Sequence, residues 1–504
     1  MGARRQMRTL KRLVLSVLLL LAVAVGVAAT LHFFFGYTVR LDGSGVPRVA
    51  REVSPEAVAE SIESHRAAQA TSPTGDREAA HGPSLATSPK GAVEVTSGAP
   101  GRAAPAPTEE GAPAYWTGFR GPLRDGVYRE RPILTSWPSG GLTPMWKQPI
   151  GGGYASFAIA GGRAFTIEQR RSQEVVTAYD VDTGREAWAH GWEAEFREWM
   201  GGDGPRATPA WADGRVYALG ATGEFRVLDA ATGSLVWRVN ILDDNAAQNL
   251  PWGMAASPLV LDDVVVVLPG GPAGRSVVAY DRRTGVRRWS ALNDKAAYSA
   301  PMLATLAGRP QLLVITARRL VAIAPESGEL LWEYPWPTAN DINAAQPVIV
   351  PGDRVLLSSG YGHGAAMIQV TRDADRFGTR LLWEHTRLKN RFSSSVVHDG
   401  FIYGLDEAIL TCIDAETGEV KWKAGRYGHG QFVLASGHLV LLTEEGDLVL
   451  VRATPDRHEE LARFPVLEGK TWNHPAIDGG RLLVRNLAQM AAFDLRVRGG
   501  GPTP

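Results

Sequence analysis

Seven short stretches of this chain gather the residue types that can do chemistry, and they recur at near-even intervals. They read EFREWMGGDGPRA, DDNAAQNLPWGMAA, NDKAAYSA, PTANDINAAQ, RLKNRFSSS, RYGHGQF and EGKTWNHP. Within them stand Arg206, Asn249 with Trp252, Lys295 with Tyr298, Asn343, Lys389 with Arg391, His429, and Trp472 with His474. Guanidinium, ammonium and amide groups hold polar or anionic ligands by charge-assisted hydrogen bonds, and aromatic rings add stacking. Together they describe a binding surface with mixed hydrogen-bonding and stacking capacity.

Catalysis is harder to build from the same residues. The motif Tyr-Gly-His-Gly occurs twice, over 361–364 and 427–430, and with His474 gives three imidazoles of the kind that bind zinc or copper. The two copies fall at different points of the repeat described below, so their radial positions differ and no metal site is assigned. Asp203, Asp294 and Asp341 are acid–base or calcium-ligand types, but their spacing is that of ordinary turn residues. A phosphate-cradling glycine loop, a serine-nucleophile elbow and a CxxCH haem motif are all missing from the sequence. No catalytic residue is assigned.

The elements that position these stretches are legible in a second pattern. AYDVDTGREAW, ending at Trp188, recurs as VLDAATGSLVW at Trp237, AYDRRTGVRRW at Trp289, AIAPESGELLW at Trp332 and CIDAETGEVKW at Trp422. RFGTRLLW at Trp383 is a worn copy, and Trp146 and Phe464 keep the spacing without the turn. The steps along this ladder run from 39 to 52 residues, a period of arrays and propellers. Alternating apolar residues lead to an Asp, Thr-Gly reverses the chain, and a second strand carries the indole. Two more strand-like runs precede each motif, giving four strands per unit. A small residue two places before the Asp (Ala178, Val227, Ala279, Ala322, Cys412) reads as room for an indole from the neighbouring sheet. The seven tryptophans, Trp146 included, are read as structural wedges.

Four-stranded units with no helical period predict an all-β, eight-bladed β-propeller over 114–498. The last unit lacks a strand, which LTPMWKQPI around Trp146 is expected to supply, closing the ring and removing free edges. In antiparallel blades the Thr-Gly turns share one face. The seven polar stretches, as interblade connections, share the other.

Upstream, residues 1–12 carry Arg4, Arg5, Arg8, Lys11 and Arg12, and 13–37 contain no Asp, Glu, Lys or Arg. That run suits an uncleaved signal-anchor helix with its basic end in the cytoplasm and the propeller outside. No cysteine follows it to accept a lipid. Residues 38–113, rich in Pro, Ala, Ser and Gly, are expected to be a disordered linker, with only a short helical turn near SPEAVAESIESHRAA. The 53 basic and 53 acidic residues balance, so charge gives no case for nucleic acid. The single cysteine, Cys412, excludes an intrachain disulfide and a Cys-based metal site.

The repeat A-x-D-x-x-T-G-x-x-x-W resembles that of the pyrroloquinoline quinone (PQQ) type propellers, which include quinoprotein alcohol dehydrogenases and BamB-type outer-membrane assembly factors. WTGFRGPLRDGV, NRFSSSVVHDG and GKTWNHP are similar to segments of bacterial membrane or secreted members. The resemblance implies a binding or scaffolding module of the bacterial envelope with an envelope protein partner on one propeller face and no cofactor. With the anchor read above, it is expected to be a single-pass protein of the bacterial cell membrane whose propeller lies in the periplasm or outside the cell. The alternative that the resemblance implies is a divergent quinoprotein oxidoreductase using PQQ with calcium, in which Arg206, Lys295, Asn343, Lys389 and Arg391 hold the anionic quinone. This chain departs from the dehydrogenases in lacking their adjacent-cysteine disulfide and any match to their calcium set. It departs from the assembly factors in lacking their lipidated cysteine.

Overall fold

Short alternating strands separated by Gly-containing turns fold back on themselves, and each group of four makes one antiparallel sheet. In the computed structural model, blade 1 consists of Ala158–Ala160, Arg163–Arg170, Gln173–Asp180 and Glu186–Glu193, paired in that order. Blades 2 to 7 follow over 210–240, 259–291, 302–335, 348–385, 396–426 and 431–465. Blade 8 has three strands within 476–494 and takes its fourth, Trp146–Pro149, from the start of the domain. The structure describes residues 115–497 except 199, residues 53–71, the backbone of Tyr37–Leu41 and Pro47–Arg51, and residues 15–19, 23, 26, 27 and 30. Middle strands are buried on both faces, whereas outermost strands such as Glu186–Glu193 are half-exposed. This is the pattern expected when sheets pack face to face around a ring.

The Asp-Thr-Gly turn is built by local chemistry. Asp180 Oδ1 accepts from the backbone N–H of Asp182 and Thr183 and from the Thr183 hydroxyl at 2.8–3.1 Å, and Asp229 and Asp281 repeat the arrangement. Gly184 then takes φ +72°, and a Cβ there would meet the Trp146 ring at 2.7 Å. Gly233, Gly285, Gly328 and Gly418 sit in the same way on Trp188, Trp237, Trp289 and Trp383. Each of these five indoles therefore docks on the turn of the next blade. Nε1 of Trp146, Trp188, Trp237 and Trp383 donates to the carbonyl of the residue after the Asp position, at 2.9–3.2 Å. The expectation about the small residue needs correction. Ala178, Val227, Ala279, Ala322 and Cys412 lie directly across from the indole of their own sheet, and a bulge follows each one. The bulge adds local twist, and the slim partner leaves space for the indole beside it.

Trp146 pairs with Ala492 and rests on blade 1, so the ring closes as expected. The same N-terminal stretch also supplies a turn, because Gly141 packs on Phe464 as the other turn glycines pack on indoles. Charge is buried at this seam. Glu168 accepts from Arg170, Thr177 and Tyr179 at 2.7–2.8 Å and from the Gly151 N–H. Burial alone would raise its pKa, but Arg170 and Arg485 outweigh it and hold the carboxylate below its ordinary range.

The linker expectation is corrected over Pro55–Thr71, which is a 17-residue helix docked on the seam. Val58, Ala59 and Ile62 are buried. His65 meets Gln148 at 3.1 Å, Arg66 meets Glu186 at 2.9 Å, Glu63 meets Arg171 at 3.1 Å, and the Gln69 carbonyl accepts from Arg185. A helix this short is marginal alone, and tertiary contacts of this kind stabilise it. Tyr37–Leu41 and Pro47–Arg51 form an antiparallel pair within the span read as anchor end and linker. The segments 1–12 and 72–113 and most of 13–37 lie outside the described residues. Among the described residues no helix is long and apolar enough to cross a membrane.

Candidate functional site

The ring has a channel, and the chain fills it. Residues 115–128 run along the innermost strands: Trp116 O accepts from Ile159 N at 2.7 Å, Thr117 O from Trp211 N at 2.8 Å, and Gly126 O from Leu434 N at 2.9 Å. Val127–Tyr128 adds a parallel strand to blade 7. Trp116 is fully buried, and its backbone N–H donates to Asp478. Two guanidinium groups anchor this plug from within. Arg120 donates to Ser394 O and Ser395 O of blade 6 and to Asp125 O, at 2.8–3.3 Å. Arg124 donates to Ser257 O at 3.1 Å, Pro301 O at 2.9 Å and Pro258 O, bridging blades 3 and 4. Burial pulls both pKa values down, to about 10 for Arg120, where Asp125 resists it, and to about 9 for Arg124. Both remain cationic at neutral pH.

Just inside the mouth, a collar of buried polar residues opens the innermost strands. Ser156 N donates to Thr208 Oγ1 at 2.9 Å and Ser156 Oγ to His474 O at 2.5 Å. Ser299 donates to Gln346, Gln346 N to Ser394 Oγ, and Gln431 to Phe392 O, at 2.6–3.2 Å. These bonds link successive blades, while Gln346 Nε2 is buried without a hydrogen-bond partner.

Above the collar, on the face of the interblade loops, aromatic and cationic side chains form a nearly continuous rim. Tyr154 stacks on Trp472 at 5.4 Å between centroids, and Phe392 contacts Trp472 at 4.7 Å and His429 at 5.3 Å. Arg391 lies 4.6 Å over Tyr361 and pairs with Glu407 at 3.1 Å. Arg206 lies over both Tyr154 and Phe196, at 5.5 and 4.9 Å, and Trp252 meets Tyr298 edge-on at 5.9 Å. Lys470 sits 4.3 Å from the Trp472 centroid and donates to Gly201 O at 2.7 Å. The Trp472 indole N–H and the His429 backbone N–H both donate to Glu444. Burial raises the Tyr298 hydroxyl to about 12 and lowers His429.

Six of the residues singled out in the sequence therefore meet at this rim: Arg206, Trp252, Tyr298, Arg391, His429 and Trp472. Five stand elsewhere. Asn249 is exposed and donates to Ala221 O; Lys295 is 61% exposed and 3.7 Å from Asp341. Lys389 is paired with Asp406 at 2.6 Å. Asn343 is 1% exposed, and its amide is spent on Thr316, Ala317 and Trp336 carbonyls and on the Ser359 hydroxyl. His474 lies in the collar, 3% exposed and stacked on Trp116. The sequence reading missed Tyr154, because the connection from blade 8 to blade 1, IGGGYASF, precedes the first complete blade. It also missed Phe392, Lys470 and the plug. Phe392 and Lys470 lie inside stretches already singled out.

His474 gives a pH prediction. Burial first, and Arg120 second, push its pKa from 6.5 to about 3. Between those values the unfolded chain binds a proton that the folded chain does not, so its neutral form favours folding above about pH 6.5. Relative to His474→Gln, wild type is expected to lose stability steadily as pH falls from 6.5 towards 3. Melting-temperature differences between the two proteins across that range check it, and a flat difference would contradict it.

Fold and rim together define an eight-bladed, ring-closed propeller with a self-plugged channel and an aromatic mouth. The chain belongs to the family described as outer membrane protein assembly factor BamB, whose model matches residues 171–424, half of its length. It is 22% identical over 309 residues to the outer membrane protein assembly factor BamB of Bordetella pertussis, covering 59% of this chain and 72% of that protein. With the protein of that name from Yersinia pestis the identity is 24% over 261 residues, 49% of this chain and 63% of the relative. Among solved structures, BamB from Moraxella catarrhalis superposes with a TM-score of 0.51 at 15% identity, over 71% of this chain and 99% of that one. Quinohemoprotein alcohol dehydrogenase from Comamonas testosteroni gives 0.55 at 13%, over 78% and 82%. At these identities the structures speak for the fold alone.

The quinone that the dehydrogenase likeness implies does not fit the residues present. A tricarboxylate needs cations with free donors that converge. Arg206 is turned onto Gly202 O and Gly204 O at 2.6–2.7 Å, Asn343 is saturated, and Lys295, Lys389 and Arg391 are each paired with a different acid. Among the described residues no group of three or more His, Cys, Asp or Glu is arranged to hold a metal ion.

Proposed function

We propose that this chain is a membrane-anchored, extracytoplasmic scaffold that binds an envelope protein through its mouth face, as the name of its assembly-factor relatives suggests. The observation that carries this reading is the plug. With residues 115–128 filling the channel, the mouth offers a surface rather than a deep cavity, and a surface rimmed with Trp, Tyr, Phe and Arg is the composition of protein interfaces. The anchor is the apolar run 13–37 in a bacterial cell membrane, the propeller lies in the periplasm, and no cofactor is required.

The test is photo-crosslinking in intact cells from Trp252 and Tyr361 at the mouth and from Glu416 at a Thr-Gly turn. A stoichiometric envelope protein captured from the mouth and not from the turn is expected. Capture from neither face would overturn the scaffold. A melting temperature that rises on addition of PQQ and calcium would favour the oxidoreductase instead.

A further inference from the structure

The helix Pro55–Thr71 is a strap whose direction on the propeller is fixed by its contacts. Glu63 meets Arg171, which lies in the turn between the second and third strands of blade 1, on the mouth face. Six residues later, the Gln69 carbonyl meets Arg185, at the Thr-Gly turn on the opposite face. Glu56 is near enough to act electrostatically on Arg197, in the mouth-side connection after blade 1. The strap therefore enters at the mouth rim and runs towards the turn face.

Little chain separates that entry from the apolar run. Tyr37, the last residue of the run, pairs across an antiparallel ladder with Arg51. Four peptide units lead from Arg51 to Pro55. Adding the cross-strand spacing to their extended length places Tyr37 within about 20 Å of the strap's first residue. The Pro- and Ala-rich stretch 72–113 comes after the strap, so it is not part of the connection between the anchor and this docked helix.

We infer that the strap holds the propeller with its mouth face turned towards the bilayer of its own anchor, so that the aromatic rim is a membrane-facing surface. The inference rests on the anchored reading above and adds the orientation. Without the docked helix, a chain of some 76 residues between anchor and propeller would let either face meet the membrane. With it, the free length is a few residues.

Full-length chain carrying Cys412→Ala, a change to the small residue found in the same slot of other blades, is reconstituted into vesicles of phosphatidylethanolamine and phosphatidylglycerol with an acceptor-labelled lipid. Single cysteines carry a donor fluorophore at Gln248→Cys, on the mouth side of blade 2, or at Ala231→Cys, in its Thr-Gly turn; both positions are exposed. The two sites share a blade and differ in height by about 20 Å, the length of its strands. Energy transfer from Gln248→Cys is expected to exceed that from Ala231→Cys several-fold. In the double variant Ile62→Asp, Glu63→Arg, which frees the strap while leaving the propeller's unfolding transition in place, the difference is expected to collapse. Equal or reversed transfer in the parent overturns the orientation while leaving the anchor intact. A chain that fails to float with the vesicles overturns the anchored reading, and this inference with it.

Discussion

Deleting residues 115–149 is expected to abolish cooperative unfolding and leave an aggregating chain, and Trp146→Ala is the graded form of the same loss. The deletion removes the plug and the fourth strand of blade 8, exposing the free edge of Gln489–Asp494. Unpaired edges of this kind recruit other chains. Trp146→Ala keeps the strand but takes away the ring that packs on Gly184 and the indole N–H that donates to Val181 O at 2.9 Å. Truncating a packed indole costs about 3–5 kcal/mol, and the half-exposure of Trp146 points to the lower end. For a domain of this size that is a fall of roughly 4–6 °C in melting temperature. Trp146→Phe keeps the face contact and gives up the hydrogen bond, so it should cost only about 1 kcal/mol. Thermal unfolding followed by circular dichroism separates the variants. Equal losses for Ala and Phe would mean that ring closure depends on the hydrogen bond rather than on packing.

The ladder was legible because its chemistry is local. An Asp that accepts from the N–H groups two and three residues on, a Thr that assists it and a Gly at positive φ write the same few letters in blade after blade. Where the structure departs from the repeat, the letters had already changed. Blade 5 has a long hairpin, Gly364–Asp373 with Arg376–His385, in place of the Thr-Gly turn, and Trp332 of blade 4 has no such turn to dock on. Its indole N–H goes instead to Gln311 Oε1 at 2.5 Å, within its own sheet. Blade 4 replaces the Asp with Ala324, and the indole N–H of Trp289, which packs on that blade's Gly328, is buried without a partner.

The rim was half legible, for a different reason. Loop residues identify themselves by type, but whether a side chain faces the channel axis depends on partners supplied by other blades. Asn343 and Arg391 look equally suited to binding in sequence. One is consumed by the Thr316 and Ala317 carbonyls of a blade 4 turn and by Trp336 O, and the other lies over Tyr361 and pairs with Glu407, in turns of the two blades that flank it. A helical turn was legible at the strap, but its docking was not, because its buried residues are few, Val58, Ala59 and Ile62, and its ion-pair partners lie more than a hundred residues downstream. No local pattern encodes contacts at that separation.

Arg124 gives the sharpest test of the plug, because two effects of opposite sign meet on one side chain. Its guanidinium is 5% exposed and has no carboxylate among its partners, so removing it relieves the cost of burying a charge. Against that, Ser257 O, Pro258 O and Pro301 O each lose a charge-assisted bond in a site that the surrounding strands keep dry. Bonds of that kind contribute about 1.5–3 kcal/mol apiece, and three orphaned carbonyls outweigh the relief. Arg124→Met is expected to destabilise the domain by about 3 kcal/mol, read as a lower melting temperature. Arg124→Lys should be nearly as harmful, because an ammonium is a point charge and cannot serve acceptors on two blades as a planar fork does. A Lys variant as stable as wild type would show that the site needs a positive charge and not a bridge. The plug would then be held by the backbone bonds of Trp116, Thr117 and Gly126 rather than by the arginine that links blades 3 and 4.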